Sequence, residues 1–353
     1  MNKYIWISIK MLFVSVAFLI FFSCGNNSKL LYDEDIDKVI KLAKEMNKPF
    51  CVILINDESS PITYSYLDKL ENGKIKRRNR VIFNIVDSSL PENKWYSQWL
   101  GINNDVITCV FSPSGILMSI VTGASSYSFD CINRTLDNDL YCREFGYNPL
   151  LSIAETNDKI DFLNLVLECH INIRENKDID TKINRSLNIC QYPYNLYLKL
   201  LNSQIHGNHD DAKYLAEQLF TFDNSHYLVL YSDIYDKARY IINPNFDPKN
   251  EPLLTINKKH FFFDNSVLNQ SNLFEMILSN SGESDLIIKD VDVGCSCIRM
   301  IDNNIPYIIK PKDSITICLE FIPDKAGELN REIFIVSNAI NRLETVKVKA
   351  NVE

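Results

Sequence analysis

The chain has 353 residues, a formal net charge of -8, and a composition that is 46% hydrophobic and 23% charged. That length fits two or three compact units, and ten glycines and twelve prolines are too few for a fibrous or disordered chain. The acidic balance, with no long basic stripe, argues against a protein that grips a nucleic-acid backbone.

Lys3 and Lys10 precede the apolar run MLFVSVAFLIFF from Met11 to Phe22, which is too short to span a bilayer comfortably; Ser23, Cys24 and Gly25 follow. A positive start, a short apolar run and a small-residue break describe an export signal over 1–23, followed by a polar tether over 24–34. The cysteine at the break resembles the lipobox of bacterial lipoproteins, with Phe21 where that motif usually has leucine. The resemblance implies cleavage before Cys24, lipidation of its thiol and amine, and an extracytoplasmic body held by acyl chains at ~0.8 kcal/mol per buried methylene. The absence of an aspartate directly after Cys24 favours the outer membrane. Nine further cysteines are too sparse for a small stapled domain, and an odd number leaves at least one thiol free. Cys51 and Cys109 lie in apolar strand-like runs and read as buried thiols.

Residues 35–150 alternate between helical and strand periods. DEDIDKVIKLAKEM places Ile36, Val39, Ile40 and Ala43 on one helical face, and PFCVILIN from Pro49 reads as a strand buried on both faces. Pro61 opens a helix with Tyr64, Leu67 and Leu70 at its spacing; RVIFNIVD is a second buried strand, and WYSQWL a short helix. VITCVFSP and ILMSIVTG form a hairpin around Ser112 to Gly115, and Phe129, Ile132 and Leu136 mark a last helix. This order, with KPFCVILIN and TCVFSPSGILMSIVTGA, resembles the thioredoxin fold. Active members carry a cysteine pair at the start of the helix after the first core strand, where the thiol pKa is lowered. The matching stretch here is Ser59, Ser60, Pro61 and Ile62, which has no cysteine. The family's cis proline matches Ile107, followed by Thr108, and a non-proline residue disfavours the cis bond by ~3 kcal/mol. The resemblance therefore implies a redox-dead module that binds a peptide or partner, or a retained scaffold.

Residues 151–250 carry four apolar-periodic helical stretches with short connections: IDFLNLVLECHINIRE, YPYNLYLKLLNSQI, DDAKYLAEQLFTF and YLVLYSDIYDKARYII. Gly207, Ala212 and Ala216 distantly resemble a tetratricopeptide hairpin, but no second copy recurs at a fixed period. His206 and His209 flank a turn without a third ligand, and Cys169 and His170 diverge on a helix, so neither pair signals a metal or a dyad.

Residues 256–353 alternate as strands. Phe274, Met276 and Leu278, then Ile315, Ile317, Leu319 and Phe321, then Val346, Val348, Ala350 and Val352 each share a face, which predicts a seven-strand sandwich whose last strand carries outward lysines against edge pairing. FEMILSNSGESDLIIKDVDVGCSCIRM and IKPKDSITICLEFIPDKAGELNREIFIVSN resemble a bacterial immunoglobulin-like domain of unknown function with the signature Ser-Cys-Gly-Cys-Thr after an Asn-x-Gly turn. The matching residues are Gly294, Cys295, Ser296, Cys297 and Ile298. The same resemblance associates such domains with lipoproteins of Bacteroidota, often behind thioredoxin-like domains. Cys295 and Cys297 fit a disulfide or a thiol pair, while two thiolates do not close a zinc shell.

The expectation is a multidomain chain: an α/β thioredoxin-like domain, an α-helical segment and an all-β immunoglobulin-like sandwich. No phosphate loop, nucleophile elbow or catalytic carboxylate pair is visible, and no metal or cofactor is implied. The expected role is a non-catalytic envelope lipoprotein that meets the membrane through Cys24 and binds an envelope protein or peptide, not nucleic acid. The alternative is weak thiol-disulfide exchange, or a redox accessory role, through Cys295 and Cys297.

Overall fold

The structure, a computed structural model, describes residues 29–56, 60–76, 78–153, 158–301 and 304–353. The chain divides into two compact units, one running to Lys94 and adding Asn104–Tyr147, the other joining Trp95–Asn103 to Asn148–Glu353. Among the described residues no helix is long and apolar enough to cross a membrane.

The first unit is α/β. Its strands are β1 (Lys29–Tyr32), β2 (Phe50–Ile55), β3 (Ile82–Asp87), β4 (Val106–Phe111), β5 (Leu117–Thr122) and β6 (Glu144–Phe145). Helices α1 (Ile36–Met46), α2 (Pro61–Glu71), α3 (Lys94–Leu100) and α4 (Ser126–Leu136) interleave with them, α3 passing into the second unit. The sheet order is β1-β3-β2-β4-β5-β6. β2 pairs parallel with β3 and antiparallel with β4, and all six of its residues are buried, as its unbroken apolar run predicts. Alternation sends Cys51, Ile53 and Ile55 into a core with Tyr66 and Leu70 of α2 and Phe129 and Ile132 of α4. Asp35 caps α1, whose buried face is Ile36, Val39, Ile40 and Ala43, the four residues its period indicates.

The structure corrects the tether. Lys29–Tyr32, assigned to it by composition, is a strand paired parallel with β3. It is held by residues that carry no periodic signal: the buried Asn84 side chain donates to Glu34 O at 2.8 Å, and Asp33 Oδ1 accepts from Asp87 N and Asn93 Nδ2.

In the second unit, α5 (Lys159–Arg174), α6 (Asp180–Ile189), α7 (Pro193–Ile205), α8 (His209–Leu219), α9 (Ser225–Leu230) and α10 (Ser232–Ile242) are six helices among the described residues of the segment expected to hold four. α6 buries only Ile183 and Ser186, too little for a periodic signal. The fourth stretch breaks at Tyr231, whose hydroxyl donates to Gln98 O at 3.0 Å. Trp95–Asn103, placed with the first unit by sequence, is held here: Trp99 Nε1 donates to Leu163 O, Tyr192 Oη to Trp99 O, and Gln98 Nε2 to Asp233.

The remaining strands are β7 (Leu254–Ile256), β8 (His260–Ser266), β9 (Asn272–Asn280), β10 (Leu286–Asp292), β11 (Ile298–Met300), β12 (Tyr307–Ile309), β13 (Ser314–Phe321), β14 (Gly327–Ser337) and β15 (Leu343–Val352). They form a five-stranded sheet, β12-β10-β14-β15-β8, and a four-stranded sheet, β11-β13-β9-β7. Inward residues of both, among them Met276, Leu278, Leu319, Phe321, Ile333, Val346 and Val348, share one core. The described strands number nine where seven were expected; three of them, β7, β11 and β12, are three residues each, too short to alternate visibly. A second correction concerns the outward lysines Lys347 and Lys349. They guard no edge, since β15 lies between β14 and β8.

The turn after β9 is knit by one side chain. Asn280, 1% exposed, donates through Nδ2 to Ser284 O (2.7 Å) and Ile309 O (3.0 Å) and accepts at Oδ1 from Gly282 N (3.0 Å) and Leu253 N (3.4 Å). Gly282 is required by close approach: a Cβ there would lie 2.2 Å from Glu251 O and 2.5 Å from Leu253 N.

Candidate functional site

Two places test the expected chemistry. The first is the start of α2. Ser60 is its N-cap: the hydroxyl accepts from Ile62 N at 3.3 Å and donates to Asp105 Oδ2 at 2.8 Å, while Pro61 fills the first turn. Ser59 lies outside the described residues. Ile62 is 45% exposed. Ile107 is 1% exposed and sits inside β4, facing Leu54 of β2 and Thr122 of β5 across the ladder. Alternation turns Thr108, not Ile107, toward α2, where its Oγ1 is 2.7 Å from Tyr66 Oη. The residue that bonds the helix start is Asp105, two before the interior Ile107, and sequence reasoning did not single it out.

Burial works against reactivity at Cys51, Cys109 and Cys131. Cys51 and Cys109 are fully buried and project to opposite faces of the sheet, since Cys51 faces Val110 and Cys109 faces Val52 in the ladder. Burial raises both thiol pKa values well above the ordinary range. Burial, followed by a hydrogen bond with Cys142, pushes Cys131 up to about 12. Thiolate, the reactive form, is disfavoured at each.

The second place is the turn between β10 and β11, where Cys295 and Cys297 form a disulfide. Gly294 takes φ +64°, a left-handed conformation that favours glycine, and its N–H donates to Asp292 Oδ1 at 3.1 Å. Cys295 N donates to Val293 O (2.7 Å), and Ile322 N donates to Cys297 O (2.8 Å), which ties the turn to the end of β13. The two sulfurs differ in surroundings. Cys295 is half-buried between exposed Gly294 and Ser296, whereas Cys297 is 4% exposed. Arg331 on β14 places Nε 3.2 Å from Cys297 Sγ, and the same guanidinium contacts Asp324 at 3.3 Å and Asn330 O at 3.0 Å. Arg331 is the neighbour the sequence did not reveal; no spacing rule links it to a cysteine thirty-four residues away. Residues 254–352, which hold this turn, match the family described as "Protein of unknown function (DUF1573)".

This stretch is a DUF1573 domain. No curated protein matches the chain. Among solved structures, a Porphyromonas gingivalis W83 protein of unknown function is similar at 16% identity and TM-score 0.27, over 31% of this chain and 50% of that one. The chain thus spans about half the length of that protein. The ASH/PapD-like domain 7 of human CEP192 is similar at 12% identity and TM-score 0.25, over 31% of this chain and 89% of that one. Spinach chloroplast thioredoxin f is similar at 17% identity and TM-score 0.27, over 33% of this chain and 99% of that one.

The helical segment brings together side chains that sequence reasoning kept apart. His170 of α5 stacks on Trp95 of α3 at 3.9 Å between ring centres, and its Nδ1 is 2.6 Å from Tyr194 Oη of α7. Cys169, next to it in sequence, is a buried free thiol. His206 Nδ1 lies 2.8 Å from Asn202 O at the end of α7, and His209 opens α8. Among the described residues no cluster of three or more histidines, cysteines or carboxylates is placed to hold a metal.

Proposed function

We propose that the protein is a non-catalytic lipoprotein of the bacterial cell envelope, of the Bacteroidota type. In this reading Cys24, which lies outside the described residues, carries the lipid that anchors it, at the outer membrane, and a thioredoxin-like first domain binds a protein or peptide partner. The helical segment then connects that domain to an immunoglobulin-like DUF1573 domain. The observation that carries the binding reading is the use made of the start of α2. Ser60 and Asp105 there serve the helix cap, Ile107 and Thr108 are interior, and Pro61, Ile62 and Tyr64 stay exposed, Ile62 by 45% and Tyr64 by 64%. An apolar and aromatic surface without a thiol suits capture of an extended apolar segment better than exchange chemistry.

A photo-crosslinking amino acid at position 64, in cells that make the protein, tests this. A discrete adduct that Ile62→Asp abolishes supports the reading; labelling no stronger than at Tyr214, an equally exposed control at 58%, overturns it. The anchor has its own test: diacylglyceryl and N-acyl mass on the peptide beginning at Cys24, with release from the outer-membrane fraction in Cys24→Ser. An unlipidated native protein refutes it. Thiol-disulfide exchange at Cys295 and Cys297 is the second reading, favoured by the arginine beside one sulfur.

A further inference from the structure

We infer that the Cys295–Cys297 disulfide is a directional exchange site that accepts two electrons from a dithiol, Cys295 being the sulfur attacked and Cys297 the sulfur that leaves. The inference rests on and deepens the second reading, exchange at Cys295 and Cys297, and shares no residue with binding at α2, so each can fail alone.

Direction follows from the asymmetry of the turn. A thiolate must approach along the S–S axis, and access decides which sulfur it reaches. Both cysteines pack against the sandwich core, but Cys295 is only half-buried with exposed residues on either side, while Cys297 is 4% exposed. Attack at Cys295 builds negative charge on Cys297, and Arg331 Nε is already 3.2 Å from that sulfur. A guanidinium there stabilises the leaving thiolate by charge and hydrogen bonding, which speeds departure.

The step balances. One thiol of the dithiol loses its proton to solvent and attacks Cys295 Sγ; a bond forms between these sulfurs while the Cys295–Cys297 bond breaks, leaving Cys297 as thiolate. The second thiol of the substrate then loses its proton and attacks the substrate sulfur of the mixed disulfide, releasing Cys295, which takes up a proton. The dithiol ends oxidised to a disulfide, and the Cys295–Cys297 pair ends reduced. The substrate class is a flexible dithiol, small or on a protein segment, since the second attack needs both of its thiols within reach of Cys295.

The full chain is treated with dithiothreitol as the dithiol probe, and separately with reduced glutathione followed by acid quench, and thiols and adducts are located by mass spectrometry. Reduction of the native protein, with glutathione trapped on Cys295 at least tenfold over Cys297, is the expected result. Arg331→Met is expected to slow reduction at least threefold, because the leaving Cys297 sulfur loses the positive charge beside it, with Arg331→Lys recovering part of the rate. An adduct mainly on Cys297, or reduction that occurs only in denaturant, overturns the inference. An unchanged rate in a folded Arg331→Met protein also overturns it. If that variant does not fold, the position of the glutathione adduct on the native protein decides the matter.

Discussion

Asn280 offers the sharpest test of how the DUF1573 domain is held together. Replacing it with alanine leaves the backbone pairing of β9 in place, since its own N–H and C=O bond Asp313 O and Lys312 N. It removes four side-chain bonds to Ser284 O, Ile309 O, Gly282 N and Leu253 N. The bonds to Ile309 O and Gly282 N are buried, so their partners lose a bond without gaining water; the other two lie nearer solvent. An unsatisfied buried group costs ~1–3 kcal/mol, so two put the loss at about 3 kcal/mol, or a ~150-fold rise in local opening. Hydrogen exchange of the full chain measures this directly: peptides covering 251–254, β9 and β12 lose protection together because one side chain joins all three. Asn280→Asp is expected to be no better, since it keeps the acceptor but turns a carboxylate toward two carbonyl oxygens. A change below about threefold, or one confined to 281–284, refutes the reasoning.

Three further outcomes are expected. Ser60→Ala removes the cap of α2 and the bond to Asp105, costing ~1 kcal/mol, read as a roughly fivefold loss of amide protection over the first turns of α2 and none over β9; unchanged exchange at α2 refutes the capping role. Glu320 is held below the usual 4.5 by the Ser271 hydroxyl and then by Arg299, so the folded state favours its carboxylate. Its contribution to stability is present above 4.5 and is lost as pH falls through the lower folded value, and Glu320→Gln abolishes that part of the acid dependence. An NMR titration of the Glu320 carboxyl at or above 4.5 refutes this. Alkylation of the native chain is expected to modify Cys318, which is partly exposed, well before Cys51 or Cys109, which react only after denaturation; prompt labelling of either in the native state contradicts their placement.

Legibility in the sequence followed the amount of local repetition. β2, β9 and β15 announce themselves because several residues each bury a face at period one or two, and α1 because four residues recur on one side. β1, β6 and the three-residue strands bury too few side chains to repeat anything; neighbours elsewhere in the chain decide them, as Asn84 and Asp33 do for β1. The Asn-Ser-Gly turn was recognisable, but its reason was not, because Asn280 answers to Leu253 and Ile309, and Gly282 to the backbone of Glu251 and Leu253.

The same distinction separates the two candidate sites. At α2 the sequence already carried the decisive fact, the missing cysteine pair, and the structure supplied the use to which the remaining residues are put. At Cys295 and Cys297 the sequence showed two equivalent sulfurs with one residue between them, and nothing in that spacing says which is attacked. The fold supplies the difference: Cys295 is half-buried at the margin of the core, Cys297 is buried in it, and β14 places Arg331 Nε 3.2 Å from Cys297 Sγ. Chemistry that depends on a difference between two like atoms is decided by tertiary contacts, because residue type and spacing alone do not say which sulfur is reached or which one leaves.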